Sequence, residues 1–177
     1  MKTGQTTRGA VVLALIAMAL LAGCAEKPES MVASAKAYLA KDDRNAAVIQ
    51  LRNALQKNPD LAEARFLLGK ALLDNAEYLA AEKELRKASD LGYSFDEVTP
   101  LLARVLVLRG DNKKVIEEFA KAEVRGAEAT AELQSALGQA YLASGNKAKA
   151  IETFKTVSGN DGSADLARLW AIRAGRP

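Results

Sequence analysis

Histidine is missing from the chain altogether, and cysteine occurs once. Without histidine the sequence loses the side chain that most often serves as general base and metal ligand near neutral pH. A single thiol cannot close an internal disulfide. Aromatic residues make up only 5% of the chain and proline occurs four times. Long β-branched runs are also absent. What remains is rich in Ala, Leu, Lys, Glu and Arg, side chains that give up little rotamer freedom in a helix. The 177 residues suffice for one ordinary domain, and the composition predicts an all-α protein.

A concentrated charge of one sign is lacking too. The formal net charge is +3, but two of the cations, Lys2 and Arg8, precede an apolar run that reads as a removable leader. Beyond that leader 23 basic side chains face 22 acidic ones, with no basic block among them. Nucleic acid is therefore not an expected partner, because phosphate binding needs clustered positive charge.

The leader has the three parts of a secretory signal. A polar stretch with Lys2 and Arg8 comes first, then the unbroken apolar run from Ala10 to Leu21, then the small residues Ala22 and Gly23 before Cys24. The apolar run of 12 residues is too short to span a bilayer core of about 30 Å. Leu21-Ala22-Gly23-Cys24 resembles the bacterial lipobox. That resemblance implies residues 1–23 as a lipoprotein signal peptide, cleavage between Gly23 and Cys24, and acyl chains on Cys24. Two or more acyl chains anchor stably where one does not. Ala25 stands where aspartate would favour inner-membrane retention, so the implied address is the Gram-negative outer membrane, facing the periplasm. Residues 24–27 form a short lipidated tether of at most about 14 Å, which keeps the first helices near the lipid.

Beyond the tether the chain repeats. Taking Pro28, Ala62, Asp96 and Ala131 each as position 1 gives spacings of 34, 34 and 35 and units at residues 28–61, 62–95, 96–129 and 131–164. Position 8 is small, at Ala35, Gly69, Ala103 and Gly138; position 20 reads Ala47, Ala81, Val115 and Ala150. Position 24 is bulky, at Leu51, Leu85, Phe119 and Phe154; position 27 reads Ala54, Ala88, Ala122 and Val157. These columns are those of the tetratricopeptide repeat, in which each unit is a pair of helices that cannot bury its apolar face alone and stacks on its neighbours. Small residues at positions 8 and 20 let the two helices of a hairpin approach; the bulky residue at 24 is expected to fill the gap between hairpins. The expectation is an all-α solenoid of about four tetratricopeptide hairpins plus a C-terminal helix.

Helix ends fit that division. Asn58-Pro59 stops the second helix of the first repeat, and Gly92, Gly126 and Gly159 stand where a left-handed C-cap would end the others. Gly110 and Gly145 mark turns inside hairpins. Thr99-Pro100 reads as an N-cap followed by proline at the first helical position, so that helix is expected to start late. Residues 165–177 are expected to form a closing helix or a partial fifth repeat. Ser163 or Asp165 would cap it, and Leu166, Leu169 and Trp170 would share a face, with Trp170 covering the fourth repeat.

A narrower resemblance rests on three runs: Ala46-Ala47-Val48-Ile49-Gln50-Leu51-Arg52-Asn53-Ala54-Leu55-Gln56-Lys57-Asn58-Pro59, Ala64-Arg65-Phe66-Leu67-Leu68-Gly69, and Ala81-Glu82-Lys83-Glu84-Leu85-Arg86-Lys87-Ala88. With the lipobox and Ser30 and Ala35-Lys36 close behind it, they resemble the N-terminal region of the tetratricopeptide lipoproteins of PEP-CTERM/exosortase systems. The resemblance covers most of the chain after Cys24 and weakens past about Gly159. It implies a scaffold for protein–protein interaction in exopolysaccharide export or PEP-CTERM protein sorting, with no catalytic residues and no cofactor. Members are usually far longer. The other reading is an assembly lipoprotein resembling pilotins or the tetratricopeptide subunit of outer-membrane barrel assembly.

In tetratricopeptide stacks the first helices line the concave face. Position 9 there reads Lys36, Lys70, Arg104 and Gln139; position 12 reads Leu39, Leu73, Val107 and Leu142; position 5 includes Phe66. Together they make a candidate groove with an apolar floor and a basic rail. An extended acidic protein segment in the periplasm, or an anionic polymer, would suit it. The competing reading pairs the cations with nearby acids such as Glu29 and Glu63. Position 2 is Glu29, Glu63, Glu97 and Glu132, and carboxylates in a first turn stabilise a helix dipole. The asparagines of a carboxylate-tail clamp are absent from positions 6 and 9. Catalysis and metal binding are not expected. Asp42-Asp43 and Glu117-Glu118 are adjacent, so on a helix they diverge by about 100°, and phosphate loops and nucleophile elbows are absent.

Overall fold

The computed structural model describes residues 26–157 and 163–175. The expected signal peptide, the Gly23–Cys24 junction and Gly159 lie outside them, as does the side chain of Leu166. The described residues form nine helices and no strand: α1 (Pro28–Leu39), α2 (Arg44–Lys57), α3 (Ala62–Asp74), α4 (Tyr78–Asp90), α5 (Phe95–Leu108), α6 (Asn112–Phe119), α7 (Ala127–Ala143), α8 (Lys147–Lys155) and α9 (Ser163–Gly175). Consecutive helices pack on each other throughout, and α3, α5, α7 and α9 also pack first helix to first helix. The result is a sequential stack of four hairpins closed by a ninth helix. No described helix is long and apolar enough to cross a membrane.

One turn is used four times. At position 15 the backbone has positive φ in every repeat: 59° at Asp42, 61° at Ala76, and 81° at both Gly110 and Gly145. The next N–H then reaches back to the carbonyl at position 11, from Asp43 to Tyr38, Glu77 to Leu72, Asp111 to Leu106 and Asn146 to Tyr141, at 2.8–3.0 Å. That bond satisfies a carbonyl the first helix would leave open. The following residue starts the second helix. Asp43 Oδ1 accepts from the Ala46 N–H at 3.0 Å, and Asn146 Oδ1 from the Lys149 N–H at 3.1 Å, two ordinary N-caps.

Close helix approach follows from the repeat's small residues. Ala35, Ala103, Ala47, Ala81, Val115 and Ala150 are all fully buried. A Cβ added to Gly69 would fall 2.7 Å from Leu85 Cγ, and one added to Gly138 would lie 2.7 Å or less from three ring carbons of Phe154. In the second and fourth repeats position 24 thus seats on position 8 of its own hairpin, a contact the sequence reading had not assigned to it. Phe154 also fills the gap beyond its hairpin, since its ring stacks on Trp170 with centroids 6.2 Å apart. Fully burying a Leu or Phe side chain contributes about 1.5–3 kcal/mol, so these seats hold those two hairpins shut.

The third repeat departs most from the sequence reading. Helix α5 starts at Phe95, not late, and Pro100 lies inside it. The Ser94 carbonyl accepts from the N–H groups of Val98 at 2.9 Å and Glu97 at 3.2 Å, so the first turn is closed before proline enters. Burial of Val98, Thr99 and Pro100 then outweighs the single hydrogen bond that proline removes. Helix α6 ends early, at Phe119, leaving Ala122 outside it. Gly126, with φ 95°, is consequently the N-cap of α7 and not the C-cap of α6. Gly92, with φ 80°, does end α4: the Tyr93 N–H returns to the Ala88 carbonyl at 2.9 Å.

At the far end α9 starts at Ser163, slightly earlier than expected. It closes the stack with buried Ala167 and Ala174 and with Trp170 over Phe154. Leu169 does not share that face; it is 64% exposed, and Ile172 is 59% exposed beside it. At the other end the Lys57 ammonium donates to the Glu26 carbonyl at 2.6 Å, fastening the residues before α1 to the end of α2.

Candidate functional site

The first helices α1, α3, α5 and α7 present positions 2 and 9 to each other across hairpin boundaries. Lys36 in α1 pairs with Glu63 in α3 at 2.5 Å, and Arg104 in α5 with Glu132 in α7 at 3.6 Å. Two of the three cations in the rail are therefore matched by the acid of the next repeat. Both pairs are partly exposed, so each contributes at most about 1 kcal/mol. Lys70, between them, has no ion pair among the described residues. Gln139 is half-buried on α7.

The apolar floor is partly sealed. Phe66 and Leu73 are only 7% and 4% exposed and belong to the core. Leu39, Val107 and Leu142 remain half-exposed along the same face. Phe66 is covered by Tyr93, whose ring stacks on it at a centroid distance of 4.4 Å and an interplanar angle of 19°. The Tyr93 hydroxyl donates to Glu97 at 3.5 Å. Burial, together with the nearby charges of Glu97 and Glu63, holds that hydroxyl above its usual pKa, so it stays a neutral donor. Next to the Lys36–Glu63 pair a hollow of about 140 Å³ is lined by Val32, Ala33, Leu61 and Ala64.

The position-2 glutamates are not one class. Glu29, Glu63 and Glu97 sit in first turns. Glu132 does not, because α7 begins at Ala127 and places Glu128 there instead. Burial raises the Glu132 carboxyl above the usual range, against the pull of Arg104 and Lys70. Asp96 goes the other way. The Arg125 backbone N–H and guanidinium both donate to it at 3.0 Å, and these bonds hold its carboxyl below the usual value. That clamp fastens the irregular segment after α6 to the start of α5.

The other faces show no convergence of reactive groups. Asp42 pairs with Arg44 and Asp43 caps α2. Glu117 pairs with Lys113, and Glu118 takes two bonds from Arg86 at 3.0 and 3.1 Å. No three His, Cys, Asp or Glu side chains cluster as metal ligands among the described residues. Arg86 also bonds Glu82, which is held in turn by Arg109, while Arg65 pairs with Glu84 at 2.6 Å. This network ties the second and third repeats. Only Glu82–Arg86, four residues apart, was open to sequence reasoning; the rest join distant positions. Tyr93 was missed as a groove residue because it occupies position 32, where the first repeat has Pro59.

The Tetratricopeptide repeat family matches residues 131–161. No curated protein matches the chain in sequence. Among solved structures, YrrB, described as a TPR protein with an unusual peptide-binding site, superposes with a TM-score of 0.61 at 18% identity, over 81% of this chain and 74% of that one. The fold is a tetratricopeptide-repeat solenoid. With the family match in the fourth repeat and the same turn in all four, the architecture is that of a scaffold for protein–protein interaction.

Proposed function

We propose that this solenoid is a lipid-anchored scaffold of the Gram-negative envelope that holds an extended segment of a partner protein along its first-helix face. The observation that carries the reading is the half-exposed apolar row Leu39, Val107 and Leu142 beside polar groups spaced by the repeat. Apolar contacts there supply affinity and the polar rungs set register. The peptide-binding site named for YrrB supports a peptide as ligand. The lipobox resemblance supports acylation of Cys24 and an outer-membrane address facing the periplasm. Glu26, held by Lys57, stands two residues from Cys24, which leaves roughly 7 Å of chain between the stack and the lipid. The resemblance to PEP-CTERM/exosortase lipoproteins supports a role in exopolysaccharide export or protein sorting.

The test is site-specific photocrosslinking in native envelopes, from Leu39, Val107 and Leu142 on the first helices and from Arg52 and Lys87 on the second helices. Discrete adducts from the first set alone are expected. Adducts only from the second set would place the partner on the opposite face and end the proposal. Metabolic labelling with radioactive palmitate tests the anchor separately: the wild type should take up label and Cys24→Ala should not, and an unlabelled wild type would remove the lipid anchor from the proposal.

A further inference from the structure

The rungs of the first-helix face are not equivalent. Lys36 and Arg104 are each bound to the position-2 glutamate of the following hairpin. The matching partner of Lys70 would be Glu97, but Glu97 accepts from the Tyr93 hydroxyl. Tyr93 is placed for that bond because its ring lies on Phe66. A single departure in the repeat, tyrosine at position 32, thus diverts one carboxylate and leaves one ammonium exposed without an ion pair among the described residues. A ligand carboxylate arriving at Lys36 or Arg104 must first displace a protein carboxylate. At Lys70 no ion pair has to be broken; the ligand competes only with the longer-range pull that Lys70 exerts on Glu132.

Resting on the peptide-groove reading above, we infer that Lys70 is the charge-reading residue of the groove and that the ligand is an extended peptide with an acidic side chain at this rung. Lys36 and Arg104 are ties between hairpins. The half-exposed Val107 on the neighbouring first helix takes an adjacent apolar ligand side chain, and Tyr93 walls the rung on the side of Glu97. The surplus of carboxylates over cations at positions 2 and 9 sets the specificity: a ligand acidic along its whole length is repelled by Glu29 and Glu97, so the face selects isolated acidic side chains.

Three fluorescein-labelled decapeptides test this by anisotropy on the full chain. All are built from leucine and serine and differ at one central residue, which is glutamate, lysine or serine. The glutamate probe should bind about three- to fivefold more tightly than the serine probe, the effect of one exposed charge pair, and the lysine probe no more tightly than the serine probe. Lys70→Ala should erase that difference, and Lys70→Arg should keep it. Lys36→Ala and Arg104→Ala should leave it within about twofold, as expected for weak exposed pairs. Helical circular dichroism confirms that each variant is folded. Wild-type binding of the probes with no preference for glutamate, or with one that survives Lys70→Ala, overturns the inference alone. Binding of none of the three probes overturns the peptide-groove reading itself.

Discussion

Ala76 stands where two other repeats use glycine, and the chain should gain stability from Ala76→Gly. Its φ of 61° lies in the left-handed region, where a Cβ crowds the following carbonyl and costs about 1–2 kcal/mol. Glycine removes that cost but frees the unfolded chain, which returns about 0.4–1 kcal/mol. The balance favours the variant by about 0.5–1 kcal/mol, or roughly 2 °C in a domain of this size. The reverse change calibrates it. Nothing lies within 4 Å of a Cβ built on Gly110, so Gly110→Ala suffers from backbone conformation alone and should lose a similar amount. Urea unfolding followed by circular dichroism reads both, with the midpoint moving at constant slope. If Ala76→Gly is no more stable than the wild type while Gly110→Ala is unaffected, the left-handed turn imposes no strain on a β-carbon.

Two further outcomes follow from the ends and joints of the stack. Trp170→Ala should lower stability by about 2 kcal/mol, since it removes a half-buried aromatic stacked on Phe154; as the chain has one tryptophan, intrinsic fluorescence of the wild type reports that closure directly. Asp96 gives a pH signature. Its folded-state pKa is lowered by Arg125, so its contribution is complete above the unfolded value near 3.9 and is lost as pH falls through the folded value. Protection factors of the amides in residues 120–126, with the intrinsic exchange rate at each pH divided out, should therefore fall in that acid window in the wild type, and Asp96→Asn should show the lower protection already at neutral pH.

Much of the architecture was legible because the repeat columns are steric. Alanine or glycine at position 8 and a bulky residue at position 24 record which surfaces touch, and the spacing counts the hairpins. The departures have physical causes that periodicity does not carry. Pro100 reads as a helix start until the burial of Val98 and Thr99 is known. Gly126 reads as a stop because nothing in its neighbours announces that α6 ends at Phe119. The turn at position 15 was visible at Gly110 and Gly145 and hidden at Asp42 and Ala76, where the fold imposes the same φ on ordinary residues. In the groove, the side chains at positions 9 and 12 were found from their register. Pairing with a nearby acid was also open to the sequence, and Lys36 does bind Glu63; which cation stays unpaired was not, because that depends on Tyr93, beyond the next helix in the chain and adjacent only once Phe66 is in place.

A small residue at position 8 receives the bulky residue at position 24 and so closes the hairpin, and a double-mutant cycle on Gly138 and Phe154 tests that seat. On a free helix Gly138→Ala would gain about 1 kcal/mol of propensity. Against the Phe154 ring, 2.7 Å or less from the added methyl, overpacking costs about 1–3 kcal/mol, so the single variant should be destabilised or at best unchanged. Combined with Phe154→Leu, which recreates the Ala35 and Leu51 combination of the first repeat, the alanine should become stabilising, with a coupling energy of about 1 kcal/mol or more. Additive effects, or a Gly138→Ala variant that gains its full helix propensity beside an intact Phe154, would contradict the claim.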